Sequence, residues 1–296
     1  MKERAERIDR SAQNMIVHED SISTRDYARL CDLIHHEAGI HLSIEKKTML
    51  EGRIKRRLKA LNLASYGQYC EYLFDGDRRK AEIVPLIDAV TTNKTDFFRE
   101  PRHFEFLARE VLPELMGRAD TRGSVFWSAG CSTGEEAYTL GIVLSEFAQT
   151  HSGFRFRIFA TDISTTVLEK AELGVYAEET ASAVPLPLRR KYFLRGRDPE
   201  CRRVRVTPDL RRLVEFRRLN LMDSDYGLEG KADVVFFRNV MIYFDRQMQH
   251  QVLQKMCRWL LPGGYLFVGH AETLHDLDLP LVPIAPSLYR RTDGRH

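Results

Sequence analysis

Up to about residue 90 the apolar positions recur at helical spacing, and after residue 120 they fall into short runs separated by turns and amphipathic stretches. Ser23 and Thr24 stand where a helix cap belongs, ahead of DYARLCDLIHHEA, and Gly39 is placed to stop that helix. Leu50, Ile54, Leu58 and Leu61 then recur at spacings of four, four and three, one apolar stripe on a second helix. Two further helices are predicted, over Tyr66 to Phe74 and Lys80 to Ala89, completing an all-helical unit over residues 1–90. Downstream, strands are predicted at 124–130, 156–163, 214–220, 232–239 and 264–270, with helices at 134–149, 164–173 and 246–260. Apolar strands alternating with amphipathic helices imply an α/β fold with a parallel sheet covered on both faces. Between Tyr176 and Arg212 the alternation fails; four prolines and short β-type pieces such as CRRVRV mark an insertion between the second and third strands, at about 177–212.

Composition narrows the class. With 43% hydrophobic and 29% charged residues, the 296-residue chain is of ordinary globular composition. The charged start MKERAERIDR lacks the apolar core of a signal peptide, and no run approaches the roughly 20 apolar residues of a membrane span, so a cytoplasmic protein is expected. Five scattered cysteines, none in a CxxC pair, suggest neither a disulfide framework nor a zinc site, and no metal ligand set is read from the spacing. The net charge of +3 conceals two basic stretches: residues 46–59 hold seven bases against one acid, and residues 189–218 twelve against four. On the helix of the apolar stripe, Lys55, Arg56 and Lys59 fall opposite the stripe, and Arg53 and Arg57 flank it.

The turn after the first strand reads Ser128-Ala129-Gly130-Cys131-Ser132-Thr133-Gly134-Glu135-Glu136. Small residues there let a ligand approach backbone amides. No Lys-Ser or Lys-Thr follows the last glycine, which excludes a Walker loop, and the two acids would repel a pyrophosphate. They suit a ligand whose nearby part is cationic, such as the sulfonium or amino group of S-adenosylmethionine. Asp162, 28 residues beyond Gly134 at the end of the second strand, can accept hydrogen bonds from ribose hydroxyls or cap the next helix. With LLPGGYLFV at 260–268, the order of motifs favours an S-adenosylmethionine enzyme over an NAD enzyme.

Taken together, GIHLSIEKKTMLEGRIKRRL, TTNKTDFFRE, WSAGCSTGEEAY, FATDIS, FFRNVMIYFD and LLPGGYLFVGHAE resemble the CheR family, the chemotaxis receptor glutamate O-methyltransferases, over nearly the whole chain. The resemblance implies a helical amino-terminal receptor-docking domain (1–90), a linker over the cofactor pocket (91–101), and a Rossmann-like class I methyltransferase domain (102–296) carrying a small antiparallel β subdomain. It implies that Asn93, Thr95, Arg99, Glu136, Asp162, Asn220, Leu221, Arg238 and Asn239 contact S-adenosylmethionine or its product S-adenosylhomocysteine. It further implies that Arg99 and Tyr243 serve the reaction and that Arg53, Arg56, Arg57 and Lys59 meet the acidic helices of a chemoreceptor. For these positions the residues also admit plainer readings: a cap at Thr92 or Asn93, phenylalanines 97 and 98 in the core, a surface ion pair at Arg238, a core residue at Tyr243. Family members that tether to a receptor's terminal pentapeptide have a glycine-rich loop where this chain has RGRDPECRRVRV, which keeps Gly196 and counts against tethering. A nucleic-acid methyltransferase and a non-catalytic cofactor-binding adaptor are the alternatives; Arg238-Asn239-Val240-Met241 is no base-flipping motif of the Asn-Pro-Pro-Tyr type.

Overall fold

The computed structural model describes residues 21–118, 122–196, 202–228 and 230–293. The charged amino terminus, Cys201 and most of the RGRDPEC stretch lie outside the described residues. By its internal contacts the chain divides into two compact units, Met1–Thr91 and Thr92–His296.

In the first unit, α1 (Thr24–Ala38) starts where the Ser23 hydroxyl accepts the Asp26 N–H at 3.0 Å and stops at Gly39, whose φ of 70° only glycine adopts without strain. Helix α2 (Lys47–Leu61) buries Leu50, Ile54 and Leu58 completely and ends on a left-handed Asn62. Helices α3 (Tyr66–Phe74) and α4 (Gly76–Val90) pack on it. Helix α4 begins four residues before the predicted Lys80, because Asp77, Arg78 and Arg79 form a polar first turn that shows no apolar period.

The second unit is built on a seven-stranded sheet among the described residues, in the order β6-β2-β1-β7-β8-β10-β9. Strands β1 (Ser124–Ala129), β2 (Phe156–Asp162), β6 (Val214–Arg218), β7 (Ala232–Phe237) and β8 (Leu260–Val268) run parallel. Alternate residues feed two cores. Phe126, Val234, Phe236 and Phe267 face one layer, with Leu140 and Leu144 of the helix Glu135–Thr150; Val125, Trp127, Val235 and Phe237 face the other, with Val252, Leu253 and Met256 of the helix Arg246–Trp259. The five predicted strands form this parallel sheet, and two strands not predicted extend it. Strands β9 (Leu281–Ala285) and β10 (Leu288–Arg291) add an antiparallel hairpin beside β8. Prolines 280, 283 and 286 hide it, since proline demotes a strand reading yet is tolerated at a sheet edge, where β9 lies.

Between β2 and β6 the chain forms a separate three-stranded antiparallel sheet, ordered β3 (Val175–Ala177), β5 (Arg203–Val206), β4 (Phe193–Arg195). Tyr176, Phe193, Val204 and Val206 turn one face of it into the first core.

Candidate cofactor and methyl-transfer site

Chain order runs outward from β1 to β2 and β6 on one side and then to β7 and β8 on the other, so a topological switch lies between β1 and β7. Open α/β sheets bind ligands in the crevice at such a point, beyond the carboxyl ends of the strands. The sequence-predicted residues stand at four consecutive strand ends: Asn220 and Leu221 after β6, Asp162 on β2, the Gly130 loop after β1, and Arg238 with Asn239 after β7.

The two loops at the switch touch. A Cβ on Gly130 would lie 2.4 Å from Cγ2 of Val240, and Gly130 has φ 82°, so contact and backbone both demand glycine. Beyond it Ser132, itself left-handed, donates its N–H to Oδ2 of Asp162 at 2.8 Å and its hydroxyl to the Asn93 carbonyl at 2.9 Å. The Ser164 N–H reaches Oδ1 of Asp162 at 3.0 Å. Asp162 therefore shapes the entry to the helix Thr165–Leu173, with one backbone N–H on each of its oxygens.

A buried ion cluster forms the other wall. The Arg238 side chain is 1% exposed and pairs with Glu136 at 3.0 Å and Glu100 at 3.1 Å. It also donates to the Arg99 carbonyl and lies 5.5 Å from the centre of the Phe104 ring. A surface ion pair is thus the wrong description of Arg238. Ser128 donates to the second oxygen of Glu136 at 2.7 Å, and burial still pushes that carboxyl above the usual range despite Arg238. Burial would likewise raise Glu100, but Arg238 and the His270 N–H outweigh it and hold the carboxyl below its ordinary value. Glu135, the other acid of the pair, is buried and accepts from the Thr133 hydroxyl at 2.6 Å.

Thr92 to Glu100 threads across these strand ends. Phe97 is buried edge-on between Tyr176 (4.9 Å between ring centres) and Phe193 (5.3 Å), which answers for one of the two phenylalanines; Phe98 is half-buried with φ 53°. No helix is capped at Thr92 or Asn93: the helical segment begins at Pro101, with Glu100 at its N-cap. Asn93, Thr95 and Arg99 are all half-buried. Arg99 donates to the Lys94 carbonyl at 3.0 Å, and Tyr243, half-buried in a 3₁₀ turn at Met241–Tyr243, places its hydroxyl 3.4 Å from the Thr92 carbonyl. At the far end of the row, the Asn220 side chain accepts the Met222 N–H at 3.0 Å, and the Leu221 carbonyl accepts from Lys255 at 2.6 Å, fixing the turn after β6.

Sequence reasoning missed Glu100 and Glu272. Glu272 is buried and accepts three backbone N–H groups, from Asn239 (2.8 Å), Met241 (2.8 Å) and Gly269 (2.6 Å), so it ties the loop after β7 to the loop after β8. Both acids end quoted motifs, TTNKTDFFRE and LLPGGYLFVGHAE, and that position was the available signal.

The four basic residues assigned to docking divide in two. Arg57 makes a two-pronged pair with Glu82 (2.8 and 2.7 Å), which is buried and also bonded by the Tyr69 hydroxyl at 3.0 Å. Arg53 donates to the Val90 and Thr91 carbonyls, at 2.7 Å for Thr91, closing the end of α4. Arg56 and Lys59, with Lys55, are exposed.

The site fits a cationic nucleoside. Glu100, Glu136 and Asp162 stand against Arg238, the single buried arginine or lysine among the described residues, leaving the crevice with surplus negative charge.

Comparison with known proteins bears on this directly. Residues 93–283 match the family model described as CheR methyltransferase, SAM binding domain, and residues 25–91 match CheR methyltransferase, all-alpha domain. A chemotaxis protein methyltransferase of Salmonella typhimurium is 40% identical over 87% of this chain and 86% of its own length. Chemotaxis protein methyltransferase 2 of Pseudomonas aeruginosa is 39% identical over 83% of this chain and 86% of its own. Solved structures match more remotely: PKMT2 from Rickettsia typhi in complex with AdoHcy is 17% identical with a TM-score of 0.34, over 60% of this chain and 26% of that one. No described helix is long and apolar enough to cross a membrane.

Proposed function

From the premise that this chain belongs to the CheR methyltransferase family, we propose that it methylates glutamate side chains of chemoreceptor cytoplasmic helices, forming methyl esters. Its S-adenosylmethionine dependence follows from the family's cofactor-binding domain, which covers residues 93–283. The observation that carries the reading is the row of polar side chains along the carboxyl ends of β6, β2, β1 and β7, with surplus acid around Arg238.

In this proposal Asp162 accepts the ribose hydroxyls, Asn220 and Leu221 bound the adenine side, and Asn93, Thr95, Arg99, Glu136, Arg238 and Asn239 hold the remaining polar edges. Glu136 and Arg238 bond each other, so they act as one fixed dipole rather than two independent contacts. Residues 1–90 dock the receptor, 91–101 cover the cofactor and exclude water, and 102–296 carry the chemistry. The cofactor, when bound, supplies a methyl already activated by its sulfonium. The receptor carboxylate, ordinarily with a pKa of about 4.3, is ionised near neutrality, so no general base is required. The residues contribute alignment and exclusion of water, which in well-oriented reactions supply on the order of 7–11 kcal/mol. Arg99 orients the incoming carboxylate and Tyr243 lines the path of the methyl group. Nucleic-acid methylation is not favoured, since both units match methyltransferases named for chemotaxis.

The test incubates the protein with methyl-labelled S-adenosylmethionine and receptor cytoplasmic fragments or RNA. Label in a base-labile protein ester supports the reading; label in RNA, or in neither, overturns it. Arg99→Ala should lose turnover, and full turnover with unchanged cofactor affinity would remove Arg99 from its role.

A further inference from the structure

His103 is the buried polar side chain whose surroundings the methyl-transfer reading leaves unused. It lies one helical turn after Glu100, is 4% exposed, and neither of its ring nitrogens makes a hydrogen bond. Its Nδ1 stands 3.4 Å from Oε2 of Glu100, and its ring meets that of His270 edge-on at 5.0 Å between centres. His270, just beyond β8, brings Nε2 to 3.9 Å from the same glutamate oxygen. One donor atom from each of the three residues lies within 4.8 Å of the others.

We propose that Glu100, His103 and His270 form a binding site for a divalent transition-metal ion of the zinc type. Ligand atoms around a tetrahedral ion with bonds of about 2.0–2.1 Å stand about 3.4 Å apart. The His103–Glu100 distance already meets that spacing, and His270, whose side chain is 55% exposed, is free to close the rest by turning. Two imidazoles and one carboxylate select zinc, cobalt or nickel over magnesium and calcium, which prefer oxygen ligands. The charge also permits it: Glu100 and Glu136 together outnumber Arg238, so a cation enters a region of surplus negative charge. The fourth position remains for water. The site has a built-in competitor, because Arg238 holds the same Oε2 of Glu100 at 3.1 Å. Metal binding and the Arg238 pair therefore draw on one oxygen, and the ion weakens the ion cluster that forms one wall of the crevice.

Cobalt(II) titrated into the full-length protein, followed by visible absorption, should show one equivalent with nitrogen and oxygen ligation that zinc displaces. His270→Ala should weaken this binding at least tenfold, whereas His275→Ala, an exposed histidine outside the cluster, should not. No ordered cobalt absorption, thiolate absorption in its place, or unchanged affinity in His270→Ala overturns the site. The titration contains no cofactor, so its failure and a failure of the proposed methyl transfer are told apart.

Discussion

At the residue scale, the crevice depends on a few side chains whose partners have no substitutes. Arg238 is fully enclosed and two-pronged, so Arg238→Met leaves the half-buried Glu136 and Glu100 without this counter-charge. Breaking one side of a buried pair costs about 3–5 kcal/mol, which denaturant unfolding should register together with lost S-adenosylhomocysteine uptake by calorimetry. Lysine in its place should rescue little, because a single ammonium cannot reproduce the fork that spans two carboxylates. Gly130 is constrained twice over, by φ 82° and by Val240 Cγ2 at 2.4 Å from a built Cβ. Gly130→Ala should therefore destabilise by on the order of 1–3 kcal/mol. Adding Val240→Ala should recover the steric part and not the backbone part, and an additive double mutant would show that the contact does not matter.

At the scale of elements, the same helix face serves two purposes that the sequence pattern could not separate. On α2, Arg57→Ala should cost about 3–5 kcal/mol in the helical unit because Glu82 is left buried without a counter-charge, keeping the Tyr69 hydroxyl as a donor. Arg56→Ala, at an exposed position, should fall within about 0.5 kcal/mol of the parent. Thermal and urea unfolding distinguish the two. In the second unit, the helix Leu112–Met116 is pinned to β8 and β10 by Glu114, which accepts from Tyr265, Arg118 (2.9 Å) and Arg290 (2.5 Å). Burial opposes ionisation there, but these donors prevail and hold the carboxyl below its usual range. With the folded value depressed, the native state keeps this charge to lower pH than the unfolded chain does. Its contribution is present above the unfolded value and is lost as pH falls through the folded one. Stability of Glu114→Gln should accordingly fall less steeply with acid than that of the parent, and an identical acid limb in both would show that the cluster contributes nothing.

At the scale of the whole molecule, an asymmetric basic surface should act through long-range attraction. Lys55, Arg56 and Lys59 are the exposed members of a stretch with seven bases and one acid, so they, rather than Arg53 or Arg57, are the ones to alter. Their joint replacement by alanine should lower kcat/KM toward acidic receptor fragments at low salt. The difference should shrink once the Debye length falls well below about 10 Å, above 0.1 M salt. Calorimetric binding of S-adenosylhomocysteine should not change, and a salt-independent defect would point away from docking.

Local spacing was enough to place most elements, because period and caps are encoded within a turn or two of chain: Ser23 and Gly39 bound α1, and the apolar runs of β1, β2 and β7 mark strands buried on both faces. The motif order of the Gly130 loop, Asp162 and LLPGG likewise carried the cofactor class, since the ends of adjacent strands recur in fixed chain order. The β9–β10 hairpin escaped because its prolines disguise an edge pair that only β8 can template. Which charges are spent internally was decided by the fold alone. Arg57 meets Glu82 across 25 residues, Arg238 meets Glu136 across 102, and His270 reaches Glu100 across 170. Such pairings depend on tertiary distance, for which sequence spacing holds no local signal.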